Sequence, residues 1–510
     1  MARRPLPLIP VNATAQLARG RELARTAADN ATDVLHPLIT VSRGLRRLAA
    51  AGRRRWAGTP KDRRGPLLFL VGSVILAVVL VPYGPALAVV TLMAAAARQG
   101  RDGSASRSAG PTEAQAARLT SLYEALVPYF SIPEDPAPLF AHGGDWSKPF
   151  PVYEFDDTGR VRHLVVRYPA YFADGEPEAR ARVEHLLYTK SGRGREYRFG
   201  WDEEANDLNV TVLDPLPTDI TAQPFVTAPG ETVLGFTDAA SVQRTLPLTA
   251  DDAGARDVPP VIWRTGPRSG EPHLLVLGEP GSGATTLLRS IALQVLRHGD
   301  VLIADGTGSG EYAFLAGRDG VVAIESDGAG AVASLEWAAH ETERRLIAAN
   351  HARQYGEAVP AEVCRPLFVL LDRPTALAAV ARKDPQGLLD VPLRYGRAAQ
   401  VTVVVADHFD ALPSLAGTVV AHTRARVALG AGTAAEFRAA LGAPPPTTPL
   451  PEVPPGRGYA RLGTRVHRLQ VPATPNPYDD AAPEVQRAAV VSLLPGAVVE
   501  VGVEALRVEG

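Results

Sequence analysis

Apolar and polar positions follow three successive patterns along this chain. Residues 67–97 are uncharged and almost continuously apolar, apart from a Pro-Tyr-Gly-Pro turn at 82–85. Between 151 and 213, four short runs rich in Val, Tyr and Phe flank a helical stretch at 178–189, which predicts a compact ββαββ unit. From 255 to 475, apolar runs alternate with helical stretches, which is typical of a mostly parallel sheet with helices on both faces.

These patterns divide the chain into six segments. We expect a small α+β interaction domain at 112–250 and an α/β domain at 255–475. The predicted strands of the α/β domain are 273–277, 300–304, 321–324, 366–371, 401–406 and 425–429, and its main helices after the first strand are 285–297, 328–354 and 434–441. The remaining segments are a basic arm (1–65), a membrane hairpin of two short apolar helices (66–98), a linker (99–111) and a carboxyl-terminal tail (476–510).

The distribution of charge bears on the apolar stretch. Residues 1–65 carry 14 Arg and Lys against 4 Asp and Glu, whereas the rest of the 510-residue chain has a net charge of −12. As one helix, the apolar stretch would span roughly 46 Å, which exceeds the ~30 Å apolar core of a bilayer. Because both flanks are basic, both are expected on the cytoplasmic side. We therefore expect a hairpin in the cell membrane with a cytoplasmic α/β domain; a hairpin buried in protein is the alternative.

Composition excludes some classes of protein. The part of the chain after residue 65 is acidic, so bulk charge does not indicate a strongly basic nucleic-acid binder. Cys364 is the single cysteine, which excludes an internal disulfide and a cysteine metal cluster.

The candidate chemistry begins at the end of the first predicted α/β strand. Residues 278–286 read GEPGSGATT, which has the frame G-x-x-x-x-G-K-[ST] of a phosphate-binding loop between a strand and a helix. In this frame backbone N–H groups hold the phosphates, the lysine reaches the outer phosphates and the hydroxyl binds Mg²⁺. Here Ala284 occupies the lysine position. The candidate nucleotide-binding residues are Gly278, Gly281, Ser282, Gly283, Ala284, Thr285 and Thr286.

A second candidate position lies about 90 residues further along. The apolar run at 367–371 ends in Asp372, which at the carboxyl end of a strand can hold Mg²⁺ together with Thr285. The next residue is Arg373. ATPases with a phosphate-binding loop and such an aspartate usually have a glutamate here that orients the attacking water. A guanidinium cannot act as a general base. Lys383 is the only lysine between 255 and 475, and we expect Arg289 to point away from the phosphates. Binding of Mg²⁺ and ATP is therefore expected, with impaired hydrolysis.

Several segments of 255–475 also resemble one protein family. The segments are PHLLVLGEPGSGATTLLRSIAL, LIADGTGSGEYAFL, SLEWAAHETERRL, LFVLLDRPTAL, GRAAQVTVVVADHFDAL and PPGRGYARLG. In this order and spacing they resemble the FtsK/SpoIIIE group of hexameric motor ATPases, which includes membrane-anchored DNA translocases and type VII secretion motors. The resemblance implies a P-loop NTPase (RecA-like) fold.

The resemblance also implies roles for individual residues. His408 falls at the sensor position, where the family commonly has glutamine, and Asp305 at an acid that ends a strand. Arg397 and Arg424 are candidates to reach the nucleotide of a neighbouring subunit in a homo- or hetero-hexameric ring, and ordinary surface arginines are the alternative.

Two functions remain open at this point. The first is a membrane-anchored FtsK/SpoIIIE-like nucleotide-binding protein related to DNA translocases, with double-stranded DNA as ligand and impaired hydrolysis. The alternative is a non-catalytic nucleotide-binding scaffold that partners an active motor in cell division, conjugation or type VII-like secretion through residues 112–250. By analogy with the loss of a preorganised hydrogen-bond donor, each of the two departures would slow the reaction roughly 10²–10³-fold.

Overall fold

A computed structural model describes residues 110–248 and 256–498 of the protein. From Glu113 onward the chain forms one compact unit. The predicted basic arm, the membrane hairpin and all but the end of the linker lie outside the described residues. Within the two described ranges, none of the helices has both the length and the apolar character needed to cross a membrane.

The amino-terminal part of this unit is a small α+β layer. It begins with a helix, α1, and continues with two strands, a helix and two strands, so the predicted ββαββ order is confirmed. The elements are α1 (Glu113–Phe130), β1 (Val152–Phe155), β2 (Val161–Arg167), α2 (Pro177–Ser191), β3 (Tyr197–Asp202) and β4 (Asp207–Val212). The sheet is antiparallel in the order β1-β2-β4-β3. Apolar side chains of both helices and the sheet form one core, which includes Leu126, Phe130, Val183 and Leu187.

The second layer is built on a ten-stranded mixed sheet. Its strand order is β11-β10-β12-β13-β9-β14-β15-β16-β5-β8, and a separate pair is formed by β6 and β7. The strands are β5 (Glu231–Phe236), β6 (Leu246–Leu248), β7 (Arg256–Val258), β8 (Pro260–Arg264), β9 (Leu274–Gly278), β10 (Asp300–Asp305), β11 (Val321–Glu325), β12 (Leu367–Asp372), β13 (Val401–His408), β14 (Ala425–Leu429), β15 (Arg457–Leu462) and β16 (Arg465–Gln470). The six strands from β11 to β14 are parallel, as the sequence predicts, and the other four extend the sheet in antiparallel fashion.

Helices cover both faces of the parallel part. Their bounds are α3 (Ala284–Val295), α4 (Gly328–Tyr355), α5 (Ala361–Cys364), α6 (Pro374–Val380), α7 (Asp390–Ala399), α8 (Gly417–His422), α9 (Ala434–Leu441) and α10 (Glu484–Ser492). One apolar core packs α3 against the sheet, and a second core packs α4, α7 and α9 against the opposite face. Because β12 is buried on both faces, its sequence is a continuous apolar run rather than an alternating one.

The large sheet extends across the predicted boundary between the two domains. Residues 231–236 were assigned by sequence to the small domain, but β5 pairs with β8 and, through Phe236 and Gln470, with β16. Periodicity identifies the strand and cannot say which sheet it joins, because pairing partners distant in sequence leave no local signal.

The register of the parallel strands places the candidate residues at one edge. Gly278 at the end of β9 lies opposite His408 at the end of β13, and Asp372 at the end of β12 lies opposite Asp305 and Ala406. This carboxyl edge is where open α/β sheets bind ligands.

Candidate functional site

The loop between β9 and α3 depends on glycine. Gly281 and Gly283 have φ values of 76° and 97°, in the left-handed region that other residues rarely adopt. A Cβ atom on Gly278 would come within 2.3 Å of Ser282 Oγ. The chain thus turns directly from the strand into α3, which begins at Ala284. The first N–H groups of this helix have no partner within the helix and can bind an anion.

A second loop supports the first from outside. The backbone N–H of Gly456 donates to the carbonyl oxygen of Ser282 at 2.7 Å. A Cβ atom on Gly283 would lie 2.8 Å from the same nitrogen. The adjacent Arg457 side chain turns inward and donates to Gln470 Oε1 and to the Leu216 carbonyl oxygen, at 2.9 and 2.6 Å. The Pro-Gly-Arg-Gly segment at 455–458 therefore supports the phosphate-binding loop by backbone contact.

Thr285 and Asp372 meet below the loop. The Thr285 hydroxyl donates to Asp372 Oδ2 at 3.0 Å, and the Tyr312 hydroxyl donates to the same oxygen at 2.6 Å. Burial raises the pKa of Asp372 to about 6, although both hydrogen bonds oppose the shift. A hydroxyl and a carboxylate are hard oxygen donors of the kind that Mg²⁺ binds together with water and phosphate oxygens. The residues present therefore fit Mg²⁺.

Tyr312 was not identified from the sequence. Its ring is fully buried, and burial together with the neighbouring Asp372 raises the pKa of its hydroxyl well above the usual range. A tyrosine seven residues beyond a strand carries no sequence signal for contact with a carboxylate on another strand. Asp305, at the end of β10, accepts from the Thr307 N–H and hydroxyl at 2.9 and 2.6 Å.

Arg373 and His408 form a polar cluster beside Asp372. An Arg373 Nη atom contacts His408 Nε2, and Arg373 Nε lies 3.3 Å from Asp407 Oδ1. Asp407 is buried and accepts from the Thr375 N–H and hydroxyl at 3.1 and 2.7 Å. The position where a water-orienting glutamate is expected therefore carries a guanidinium that contacts the residue at the sensor position.

These residues line one cavity of about 380 Å³. It brings together all the candidate loop residues except Gly278. The same lining includes Asp372, Arg373, Asp407 and His408, which lie at the carboxyl ends of β12 and β13. Arg289 also lines this cavity and donates to Thr286 Oγ1 at 3.2 Å, so the expectation that it points away is wrong. Helical spacing brings Arg289 next to Thr286 on the same face. Its guanidinium is also bound to Glu311 and, at 3.0 Å, to the Thr474 carbonyl oxygen.

Other candidate groups lie elsewhere. Lys383 is exposed and pairs with Glu336 of α4. Arg397 lies at the end of α7, just before β13, and Arg424 lies just before β14, so both are at the amino-terminal edge of the sheet, opposite the cavity. The structure does not bring these two arginines to the cavity of their own chain. Among the residues that the structure describes, no group of three or more His, Cys, Asp and Glu side chains could hold a metal ion.

The fold and the geometry of the cavity define a class. A mostly parallel sheet with a glycine loop after β9, a helix that begins at the loop, and a threonine–aspartate pair below it fit a P-loop NTPase fold. No protein-family model matches the chain, and no curated protein matches it.

Solved structures give weak matches. The chain is similar to the cytoplasmic domain of the Thermomonospora curvata type VII secretion ATPase EccC, with 23% identity over 50% of this chain and a TM-score of 0.37. It spans 32% of that protein. It is also similar to the pCW3 conjugation coupling protein TcpA, solved with ATPγS (14% identity, 74% of this chain, 99% of that one, TM-score 0.40). A third similar structure is that of ATPases 2 and 3 of EssC from Geobacillus thermodenitrificans. The match has 15% identity, covers 55% of this chain and 52% of that one, and has a TM-score of 0.41.

Proposed function

We propose that this protein binds a Mg²⁺–nucleoside triphosphate, ATP, in the cavity beside α3 and hydrolyses it slowly or not at all. The observation that carries the proposal is the 3.0 Å contact between Thr285 Oγ1 and Asp372 Oδ2 below a complete glycine frame. This pair and the frame bind the nucleotide and the metal ion. At the two altered positions, Ala284 and Arg373, active enzymes of this fold have a lysine that contacts the outer phosphates and an acid that orients the attacking water.

The chain's own groups would hold the ligand in three ways. Backbone N–H groups of the loop and of the first turn of α3 bind phosphate oxygens, and the dipole of α3 favours their negative charge. Thr285 and Asp372 would hold Mg²⁺, which neutralises charge on the phosphates when bound. Tyr312 holds the Asp372 carboxylate in place through its hydrogen bond.

The same groups account for slow hydrolysis. Ala284 has no side-chain donor for the outer phosphates, and Lys383 is exposed, paired with Glu336 and outside the cavity lining. Arg373 cannot accept a proton from water, because a guanidinium stays protonated in proteins. By analogy with a lost oxyanion donor, each departure would cost roughly 10²–10³ in rate, and the two effects need not add.

The test is ATP turnover and nucleotide-dependent thermal stabilisation of the full chain, with and without Mg²⁺ and duplex DNA. We expect stabilisation that requires Mg²⁺, with turnover at the level of an Asp372→Ala control. Rapid turnover that is lost in Asp372→Ala would contradict impaired hydrolysis. The absence of both stabilisation and turnover would contradict nucleotide binding.

The wider role is proposed at the level of class. We infer a membrane-anchored protein of FtsK/SpoIIIE type, supported by the uncharged stretch at 67–97 with basic flanks and by the motif order in 255–475. It would assemble as a homo- or hetero-hexamer, with Arg397 or Arg424 reaching a neighbouring nucleotide, and would contact a partner protein through residues 112–250. DNA-stimulated turnover in the test above would favour a translocase, and its absence a scaffold beside an active motor.

A further inference from the structure

We propose that Arg373 takes over the role of the missing lysine and contacts the terminal phosphate of the bound nucleotide, with His408 and Asp407 as the residues that position it. This inference rests on the nucleotide-binding function proposed above and assigns the cation of that same site. The charge that Ala284 lacks on α3 would then come from the carboxyl end of β12.

The first observation that supports this role is the position of Arg373 in the fold. It follows Asp372 directly, and its backbone N–H donates to the Ala406 carbonyl oxygen of β13 at 2.8 Å. The neighbour of β13 on its other side is β9, whose last residue, Gly278, begins the phosphate-binding loop. Only β13 therefore separates the strand before Arg373 from the strand before the loop, and Arg373 lines the same cavity as Ala284 and Thr285.

The second support is the backbone of Arg373. Its φ and ψ are both 57°, a left-handed conformation at the residue that precedes α6, where extended backbone is usual. Among the residues that the structure describes, only two other non-glycine residues, Asn206 and Gln400, have positive φ. Such conformations are sparsely populated and tend to occur at functional sites.

The third support is how the guanidinium is held. His408 Nε2 and Asp407 Oδ1 contact it from one side, and Asp407 is itself fixed by Thr375. Arg373 Nε is buried beside Asp407, one Nη atom contacts His408, and 30% of the side chain stays exposed. A guanidinium has five N–H donors in a planar fork that matches phosphate oxygens. Orientation by two neighbours therefore leaves donors for an anion in the cavity.

The charges around the cavity single out Arg373. The other guanidinium on its wall, that of Arg289, is bound to Glu311 and to the Thr474 carbonyl oxygen. The acidic lining residues are Glu279, Glu311, Asp372 and Asp407. A triphosphate in such surroundings needs a cation besides Mg²⁺. Of the two arginines in the lining, Arg373 is the more accessible, with 30% of its side chain exposed against 8% for Arg289.

The experiment compares the affinities of the full chain for a non-hydrolysable ATP analogue and for ADP, both with Mg²⁺, by titration calorimetry. Arg373→Gly removes the side chain and suits the left-handed backbone. We expect it to weaken binding of the ATP analogue about tenfold or more and of ADP less than about threefold, since a charge-assisted hydrogen bond is lost only from the third phosphate. Arg373→Lys, which keeps the charge, should recover part of the difference.

Arg394→Ala is the matched control, because Arg394 is an exposed arginine of α7 outside the cavity lining and should change neither affinity. His408→Ala should lower the ratio of ATP-analogue to ADP affinity less than Arg373→Gly, as a positioning residue would. Equal losses for both ligands, or no loss, in both Arg373 variants would overturn the assignment to Arg373 while leaving nucleotide binding in place. A wild-type chain that binds neither ligand would overturn the proposed function as well.

Discussion

At the scale of single residues, two side chains decide what the site does. Ala284 occupies the position from which a lysine would reach the outer phosphates, and Arg373 the position of a water-orienting acid. Both lie in the lining of the same cavity as Thr285 and Asp372, whose contact at 3.0 Å is intact. In an active enzyme the altered positions supply a phosphate contact and a water-orienting acid, so their loss should lower turnover more than it lowers binding.

Restoring the lysine should strengthen binding. Ala284→Lys places an ammonium on the first residue of α3, within reach of the outer phosphates, and a hydrogen bond between charged groups contributes about 1.5–3 kcal/mol. We expect the affinity for Mg²⁺–ATP to rise about tenfold or more, as measured by calorimetry in an Arg373→Gly background, where the cation proposed for the same phosphate is absent. Ala284→Gln, of similar length and without charge, is the control. An Ala284→Lys affinity equal to that of Ala284→Gln would contradict the placement of the phosphates.

The pKa of Asp372 predicts how stability depends on pH. Because burial raises this pKa from 3.8 to about 6, the folded state binds a proton more tightly than the unfolded state, and the contribution of Asp372 to stability falls as pH rises from about 4 to about 6. The change amounts to about 3 kcal/mol. Asp372→Asn has no carboxyl group at this position and should not show this change. The difference in free energy of unfolding between variant and wild type should therefore vary between about pH 4 and pH 6. A difference independent of pH would show that the pKa is not raised.

The sequence predicted which chemical groups the site carries, but it did not predict which side chains those groups contact. The replacement of the lysine by Ala284 and of the water-orienting acid by Arg373 can be seen in the sequence, because each position is defined by its spacing from nearby residues of a motif. The contact of Tyr312 with Asp372, and that of Arg289 with Thr286, depend on how loops fold over the sheet edge. No periodicity encodes contacts of that kind.

At the scale of elements, the phosphate-binding loop is held by a second loop that lies 174 residues further along the chain, from Ser282 to Gly456. The Gly456 N–H donates to the Ser282 carbonyl oxygen, and this close approach leaves no room for a side chain on Gly283. The two glycines of the loop with positive φ therefore differ in what surrounds them: Gly283 faces backbone, whereas a Cβ on Gly281 would meet open space.

This difference gives a matched pair of substitutions. Gly283→Ala must displace the Gly456 backbone and is expected to lower the free energy of unfolding by about 2–3 kcal/mol and to abolish nucleotide binding. Gly281→Ala costs only the left-handed backbone, about 1 kcal/mol. Urea denaturation of both variants measures the difference. Equal losses of stability would mean that the loop at 455–456 does not support the phosphate-binding loop.

The elements themselves follow from the sequence. Apolar runs such as 367–371 and the helical spacing of 328–354 predicted β12 and α4 to within one residue, because buried strands and long helices have strong patterns. The hairpin of β15 and β16, which extends the sheet, was not predicted. Although both strands are interior to the sheet, charged residues interrupt their apolar pattern. Arg468 is buried in ion pairs with Glu196 and Asp238, and Arg457 is buried in hydrogen bonds with Gln470 and the Leu216 carbonyl oxygen.

At the scale of the whole molecule, a buried ionic network joins the small sheet to the large one. Arg468 of β16 is 1% exposed and binds Glu196, next to β3, at 2.7 Å and Asp238, after β5, at 2.6 Å. Its guanidinium also donates to the Asp214 carbonyl oxygen at 3.0 Å. The α+β layer thus packs on the same unit as the cavity, and sequence patterns alone could not show this because the charges look like those of a solvated surface.

Removal of Arg468 should therefore be costly. Arg468→Met keeps the apolar volume but leaves Glu196 buried without its cation, which is expected to lower the free energy of unfolding by about 3–5 kcal/mol. Adding Glu196→Gln should recover part of the loss, because the buried charge is then removed. The exposed pair of Arg394 with Asp390 is the comparison, and Arg394→Ala should cost less than about 1 kcal/mol. Similar losses for Arg468→Met and Arg394→Ala, by chemical denaturation, would contradict this account.

The most direct test of the central claim is calorimetric titration of the full chain with ATP, in the presence and absence of Mg²⁺. Binding to one site per chain is predicted, stronger with Mg²⁺, with the Mg²⁺-dependent part lost in Asp372→Ala. Absence of binding at millimolar ATP would contradict the central claim, because the glycine frame would then bind no phosphate. Binding that is the same with and without Mg²⁺, and in Asp372→Ala, would also contradict it, because Thr285 and Asp372 would then hold no metal ion.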